Sequence, residues 1–434
     1  MEKKVAIIGG GYTALSCAKK LTQKGYDVTI FEKTDELGGI AKCIDCYGTR
    51  LEKHYRHIFK SDKYVLSLLD DLELLYKLHW NETKMAYYSK DGLYGFGTPF
   101  TLLKYKPLSF IEKIIFGLSV IKIKLIKNYK KIEKYTAEEW MKKNCGLKVY
   151  QKIWEPLLIT KFGDRKNEIS MSWLWGKINL RSSSGTLEGE KLGYLDGSFD
   201  VLTQKLKEFL EKNNCKIRFN EQVEKVTKKD DDVFLLETKN GIKEEFNFVV
   251  NTVAYDISKN IFNDILTNNE KNKMTDLKYT SAKTLIIYTK KQLTPYYWMN
   301  IGDREIPFGG IIEHTNMINK NNYDGVNIIY ISNYMYNDDK LYSMDEEELF
   351  DIYYPYLQKI NKDFKKEDVI NLQAYEELYA QPIITTNYSE KQIGQEINEK
   401  GIFMGTMAQI YPEDRGMNYA IKVGYEIAEK IYKL

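Results

Sequence analysis

The stretch Val5-Ala6-Ile7-Ile8-Gly9-Gly10-Gly11-Tyr12-Thr13-Ala14, with Val28-Thr29-Ile30-Phe31-Glu32-Lys33 after it, decides the fold. Val5 to Ile8 is a continuous apolar run, the pattern of a strand buried on both faces of a parallel sheet. Gly9, Gly11 and Ala14 satisfy G-x-G-x-x-G/A: a tight turn, a backbone that a pyrophosphate can approach, and a small residue where helix meets strand. Ala14, Leu15, Ala18 and Leu21 then recur at helical spacing up to Gly25, and a second apolar strand follows. Glu32 closes that strand about 20 residues after the glycines, where a carboxylate accepts hydrogen bonds from an adenosine ribose, with Lys33 beside it. Strand, glycines, helix, strand and acid in this order predict a dinucleotide site lined by Gly9, Gly11, Tyr12, Thr13, Ala14, Glu32 and Lys33.

The chain has 434 residues, 43% hydrophobic and 29% charged, enough for a large core and ordinary for a globular protein. A net charge of +3 offers no global field for a nucleic-acid backbone, so no nucleic-acid partner is expected. Five cysteines are odd in number and sparse, unlike a secreted disulfide framework, which fits a reducing compartment. Met1 to Lys4 runs straight into Val5 to Ile8, too short an apolar segment for a signal peptide. The most apolar stretch, Ile114 to Ile121, is bounded by Lys113 and Lys122 and is too short to span a bilayer. A cytoplasmic location is expected. Cys43-Ile44-Asp45-Cys46 is a C-x-x-C with no second such pair, so no metal site is expected, and a redox dithiol is the functional alternative to plain packing.

Later segments read as pieces of the same sheet. Tyr194 to Leu210 is a glycine turn and a helix, followed by short strands at Lys216 to Phe219, Val223 to Val226, Val233 to Leu236 and Phe246 to Val250. Gly401 to Gly405 is again a strand entering a glycine turn, and Met417 to Tyr432 is a helix whose free N–H groups suit an anionic edge. Two inserts intervene. Lys104 to Trp140 reads as helical, with Ile111, Ile114, Ile115, Leu118, Ile121 and Leu125 on one face and many lysines elsewhere. Such a helix either packs that face on the core or lies on an anionic membrane surface, a peripheral contact on the inner face of the membrane. Thr284 to Ala374 mixes strands with a helix near Glu346 to Ile360 and reads as a substrate-side sheet. His54 and His57, close after the glycines, are candidate proton carriers, and Glu313, His314 and Asn316 could supply a base, an imidazole and an amide. His79, before Trp80, reads as structural.

Gly38-Gly39 after the acid resembles the second glycine signature of the FAD-dependent amine-oxidase superfamily. With His54-Tyr55-Arg56-His57-Ile58-Phe59, Trp154 to Leu158, Lys161-Phe162-Gly163, Tyr296-Tyr297-Trp298, Glu313 to Asn316 and Tyr411 to Asn418, the chain resembles its protoporphyrinogen-oxidase-like bacterial members. The resemblance implies an α/β fold: a Rossmann-type FAD-binding domain from residues 1–75, 190–256 and 375–434, an inserted substrate sheet from 76–100 and 257–374, and a helical insert over 101–189. It implies FAD held additionally by Gly38, Gly39, Val223, Gly405, Thr406, Arg415, Gly416, Met417 and Asn418. Lys283 resembles the lysine that several amine oxidases aim at the flavin. The implied activity is hydride transfer from a small or lipid-linked organic substrate to flavin N5, with the electron acceptor open. Two positions depart from the superfamily pattern: Ile40-Ala41 stands where an Arg often follows the glycine pair, and Thr406 where many members have Asp. His57-Ile58-Phe59 and Gly405 to Tyr411 are also similar to flavin-dependent UDP-galactopyranose mutases, which isomerise sugars without net redox. Those enzymes carry an Arg where this chain has Thr406.

Overall fold

The computed structural model describes residues 3–182 and 190–434; what was expected of Met1, Glu2 and residues 183–189 of the helical insert lies outside these. The strand Lys4–Ile8 runs at the centre of a five-stranded sheet, with Val5, Ala6 and Ile7 fully buried. In spatial order the strands are Ile402–Met404, Phe248–Asn251, Lys4–Ile8, Asp27–Phe31 and Lys216–Arg218, all parallel. The helix Tyr12–Gln23 crosses between the first two strands in sequence, and segments from the middle and end of the chain add the rest.

Only part of the middle segment joins this sheet. Val223–Asp230, Val233–Thr238 and Lys243–Phe246 form a separate three-stranded antiparallel sheet. The acidic turn at 231–232 explains this, because a tight turn can join antiparallel neighbours but not parallel ones. The chain changes sheets at Asn247, whose N–H donates to the Lys4 carbonyl at 2.9 Å while its Oδ1 accepts from the Lys4 N–H at 2.9 Å.

The other large sheet has seven strands: Val369–Pro382, Tyr279–Thr289, Asn327–Met335, Gly310–Glu313, Trp298–Ile301, Met85–Ser89 and Gly92–Phe96 in spatial order. Its first strand runs through residue 375, where the sequence reading returns to the cofactor domain. Leu78–Thr83 pairs instead with Glu190–Leu195 in a two-stranded ribbon, on which His79 meets Asp196 at 2.8 Å. The fully buried Glu52 joins ribbon and sheets. Its carboxylate accepts from Tyr194 Oη and the Phe199 N–H, both at 2.8 Å, and its carbonyl accepts from Tyr330 Oη at 2.8 Å. Burial raises its pKa, and these donors offset part of that cost.

The insert is a set of short helices rather than one long one: Pro99–Lys104, Phe110–Lys124, Ala137–Val149, Glu155–Phe162 and Met171–Ser182. Ser109 and Thr136 close capping boxes that start two of them afresh. The core-facing reading of Phe110–Lys124 is overturned. Ser119 and Ile123 are buried, with Ile115 beside them packing on the core, whereas Ile111, Ile114, Leu118, Ile121 and Leu125 face outward. A helix that is apolar around most of its circumference has several candidate inner faces, and periodicity alone does not choose among them.

The C-terminal helix Met417–Ile431 lies directly on Tyr12–Gln23, and Gly424 sits at the crossing. A Cβ there would overlap Ser16 Oγ and the Thr13 carbonyl. Gly424→Val is therefore expected to lower stability by roughly 1–3 kcal/mol through overpacking. Gly117, on Phe110–Lys124, has open space where its Cβ would be, and Gly117→Ala is expected to stabilise by about 0.5–1 kcal/mol through helix propensity. Denaturant unfolding of the two variants checks both signs.

Candidate active site

A cavity of about 390 Å³ opens above the carboxyl ends of the five-stranded sheet, where ligands bind in open α/β sheets. Gly9, Gly11, Tyr12, Thr13, Glu32, Lys33, Gly38, Gly39, Gly405, Thr406, Arg415, Gly416 and Met417 all line it. Two helices open onto it, Tyr12–Gln23 from Gly11 and Met417–Ile431 from Gly416; neither has a side-chain cap or an acidic residue in its first turn. By contrast Ser109, Thr136, Thr267 and Asp345 close capping boxes on helices elsewhere. Uncapped first-turn N–H groups are suited to an anionic ligand.

Glu32 is 6% exposed and held through both carboxylate oxygens. One oxygen accepts from the Gly10 N–H at 2.7 Å, and the other accepts from the Thr34 N–H and Oγ1 at 3.1 and 2.7 Å. Lys42 lies 3.8 Å away. The two glycine loops meet at Gly39, which has φ +57 and whose added Cβ would come within 3.1 Å of the Gly11 Cα. Two glycine loops, two uncapped helix starts and a buried acid fit the pyrophosphate and ribose of FAD.

Three expected cofactor residues are not among those lining the cavity. Ala14 is buried in the packing of its helix. Val223 belongs to the core under the three-stranded sheet. Asn418 accepts from the Tyr64 and Val65 N–H groups at 2.9 and 3.3 Å, and so holds the start of the helix Lys63–Asp71. Thr406 accepts from the Ala408 N–H at 3.1 Å and donates to Gln409 Oε1 at 2.8 Å, an assignment that shapes its turn.

A second cavity, of about 170 Å³, adjoins the first and shares Ile40, His54, Arg56, Glu377 and Arg415 with it. His57, Trp298 and Tyr334 complete much of its wall. His54 Nδ1 is 2.9 Å from Thr284 Oγ1 and His57 Nδ1 is 3.0 Å from Tyr297 Oη, so Nε2 is the ring nitrogen left over on each. Burial, reinforced by Arg56 and Arg415 around His54 and by Arg181 and Lys177 around His57, pushes both imidazoles down to about 3. They are neutral at ordinary pH.

The Glu313 cluster lies outside both cavities. The Glu313 carboxylate accepts from the Leu293 and Thr294 N–H groups, each at 2.8 Å, and burial raises it to about 7. His314 Nε2 is 2.7 Å from Tyr323 Oη inside the core, and Asn316 donates to the Thr294 and Tyr296 carbonyls. These three groups fix a loop. Lys283 pairs with Glu376 at 3.1 Å and lines neither cavity itself, though Glu376 lines the first. Cys43 and Cys46 are buried, free thiols; burial raises both, Cys46 to about 12, which suppresses the thiolate that a redox pair needs.

The sequence reading missed the cations of the second cavity. Arg56 and Lys161 stand inside stretches quoted for their resemblance, and Lys177 and Arg181 sit one helical turn apart on Met171–Ser182. That helix is pinned on two sides. Trp173 Nε1 and Lys177 Nζ donate to Asp414 at 3.0 and 2.7 Å, and Trp175 Nε1 donates to the Ile126 carbonyl at 2.9 Å.

Known proteins agree with this architecture. A 15-cis-phytoene desaturase of Synechococcus elongatus is 25% identical over 272 residues, 58% of this chain and 56% of that enzyme; the chain thus spans little more than half of that relative's length. A protein from Exiguobacterium sp. 255-15, assigned as a protoporphyrinogen oxidase, superposes with a TM-score of 0.79 at 16% identity, covering 99% of both chains. Reduced UDP-galactopyranose mutase superposes with a TM-score of 0.77 at 15% identity, covering 100% of this chain and 94% of the other. Residues 15–397 match the profile described as flavin containing amine oxidoreductase. The chain belongs to the flavin-containing amine oxidoreductase family, whose cofactor, FAD, fits the larger cavity.

Proposed function

We propose that this chain is an FAD-dependent oxidoreductase that removes hydride from a small or lipid-linked organic substrate. The observation that carries the reading is the second cavity, which adjoins the cofactor cavity through His54, Arg56 and Arg415. FAD, when bound, supplies the hydride acceptor. The chain's own groups do the rest. The walls at Trp298 and Tyr334 orient the substrate, and the neutral imidazoles of His54 and His57 offer Nε2 as hydrogen-bonding groups beside it. Tyr297 and Thr284 hold those rings in place through Nδ1.

We further propose that the helices Pro99–Lys104 and Phe110–Lys124 rest on an anionic lipid surface. Among the described residues, eight of the fifteen exposed large hydrophobics fall between 100 and 125, which concentrates exposed apolar surface on this one pair. Phe110 (67% exposed), Leu118 (60%) and Leu125 (73%) mark the stripe. Lys104, Lys106, Lys113, Lys122, Lys124 and Lys127 flank it, and the single carboxylate in that span, Glu112, is paired with Lys152 at 2.9 Å. An apolar stripe edged by cations is complementary to anionic headgroups over acyl chains. No helix among the described residues is long and apolar enough to cross a membrane.

The purified protein is expected to show an oxidised-flavin band that bleaches anaerobically with its substrate; a protein without flavin ends the reading, and turnover of a nucleotide sugar only after dithionite reduction replaces it with isomerisation. Gly11→Val is expected to cut the flavin-to-protein ratio about tenfold or more while the chain stays folded, since an added Cβ would meet only the Gly39 Cα, at 3.9 Å, and otherwise enter the space a pyrophosphate needs. Sedimentation with phosphatidylglycerol vesicles at low salt, lost in Leu118→Asp/Ile121→Asp, is expected for the lipid contact. Failure to sediment, or a dimer broken by the same substitutions, removes it.

A further inference from the structure

Two guanidinium groups stand where the two cavities meet. Arg56 and Arg415 line both, so they face the cofactor space on one side and the smaller chamber on the other. Each is held by only part of its fork. Arg56 Nη2 donates to the Ile40 carbonyl at 2.6 Å. Arg415 Nε donates to Gln381 Oε1 at 3.1 Å and its Nη2 to Tyr334 Oη at 2.6 Å. These partners are neutral dipoles, which fix where the planar groups point and remove none of their charge. Among the described residues no acceptor meets Nη1 of either arginine.

The two charges also feel each other, since burial and the nearby Arg415 push the Arg56 guanidinium below its ordinary value. Glu377, the carboxylate on the same wall, accepts the Tyr379 N–H at 3.2 Å. Directly after Arg415 the helix Met417–Ile431 begins at Gly416 with no side-chain cap and no acid in its first turn, so the positive end of its dipole points into the same space. A loop after the second glycine pair and the start of the last helix thus aim positive charge at one junction. Like charges placed this close are costly, and negative charge arriving beside them lowers that cost.

Resting on the oxidoreductase reading above, we propose that Arg56 and Arg415 set the reduction potential of FAD, raising it by stabilising the negative charge that the ring gains where the cofactor cavity opens to the substrate chamber. Hydride brings two electrons and one proton, so a neutral oxidised ring that accepts it carries one net negative charge, while the substrate carbon loses the electron pair of its C–H bond. Fixed guanidinium groups need no reorganisation as that charge develops. Their effect is to let the flavin take hydride from a weaker donor.

The test is the two-electron reduction potential of the flavin-loaded protein, measured by dye equilibration, together with its affinity for sulfite, which adds to N5 of oxidised flavin and likewise leaves negative charge on the ring. In Arg56→Gln and in Arg415→Gln the equilibrium constant for reduction is expected to fall about tenfold or more through loss of one nearby charge, a drop of about 30 mV for each tenfold, with sulfite bound about tenfold more weakly. Arg56→Lys and Arg415→Lys keep the charge and lose the fork, so they are expected to recover most of the potential, whereas a packing defect would affect both substitutions alike. Where a glutamine variant holds no flavin, the lysine variant at that position decides: a potential near that of the parent supports the role, and a tenfold loss overturns it. An unchanged potential in both glutamine variants, or equal losses in the glutamine and lysine variants, overturns this inference alone. A parent protein that holds no flavin, or that turns over a nucleotide sugar only after reduction, instead removes the oxidoreductase reading on which it rests.

Discussion

The close contact between the first and last helices, at Gly424, sets the position of much else. With no side chain at that point, the last helix lies against the helix that follows the first glycine loop, where Ser16 and Thr13 leave no space for a Cβ. Gly405 repeats the constraint nearby, since a Cβ there would come within 2.8 Å of Thr13 Cγ2 and 2.7 Å of Ile427 Cδ1. These two contacts bring the end of the chain to its beginning. Gly9 to Thr13 can therefore share one cavity with Gly405, Thr406 and Arg415 to Met417, and one ligand can meet two helix starts. A bulkier residue at either position would separate the halves of the site, which gives packing here a direct bearing on chemistry.

How much of this was legible in the sequence depends on how local each cause is. The strand, glycine turn, helix, strand and acid from Val5 to Glu32 are contiguous, and each step constrains the next. Hence their identity and order could be read without a structure. The separate sheet at Val223 to Phe246 was misassigned because short apolar strands carry no mark of the sheet they join; the tight acidic turn was the available clue. Periodicity found the helix at Phe110–Lys124 but inverted its faces, because both faces are apolar.

The Glu313, His314 and Asn316 cluster shows the same limit in polar form. Three functional groups in four residues look like a reacting centre, yet their partners are the amides and carbonyls of Leu293 to Tyr296 and the hydroxyl of Tyr323. Satisfaction by backbone some 20 residues away cannot be seen in a pattern. The reverse holds for Arg56, Lys161, Lys177 and Arg181. Arg56 stands far from the other three in sequence, and the four converge only once the helical insert has folded against the seven-stranded sheet.

The helix Met171–Ser182 acquires a mechanical meaning from its two anchors. Trp173 and Lys177, four residues apart, grip Asp414 on one side, and Asp414 adjoins Arg415 at the cofactor cavity; Trp175, facing the other way, grips the chain at Ile126 where the outward-facing apolar helix ends. One helix thus fixes two distant points of the fold: the carbonyl at Ile126, where the outward-facing helix ends, and the Asp414 carboxylate at the inner wall.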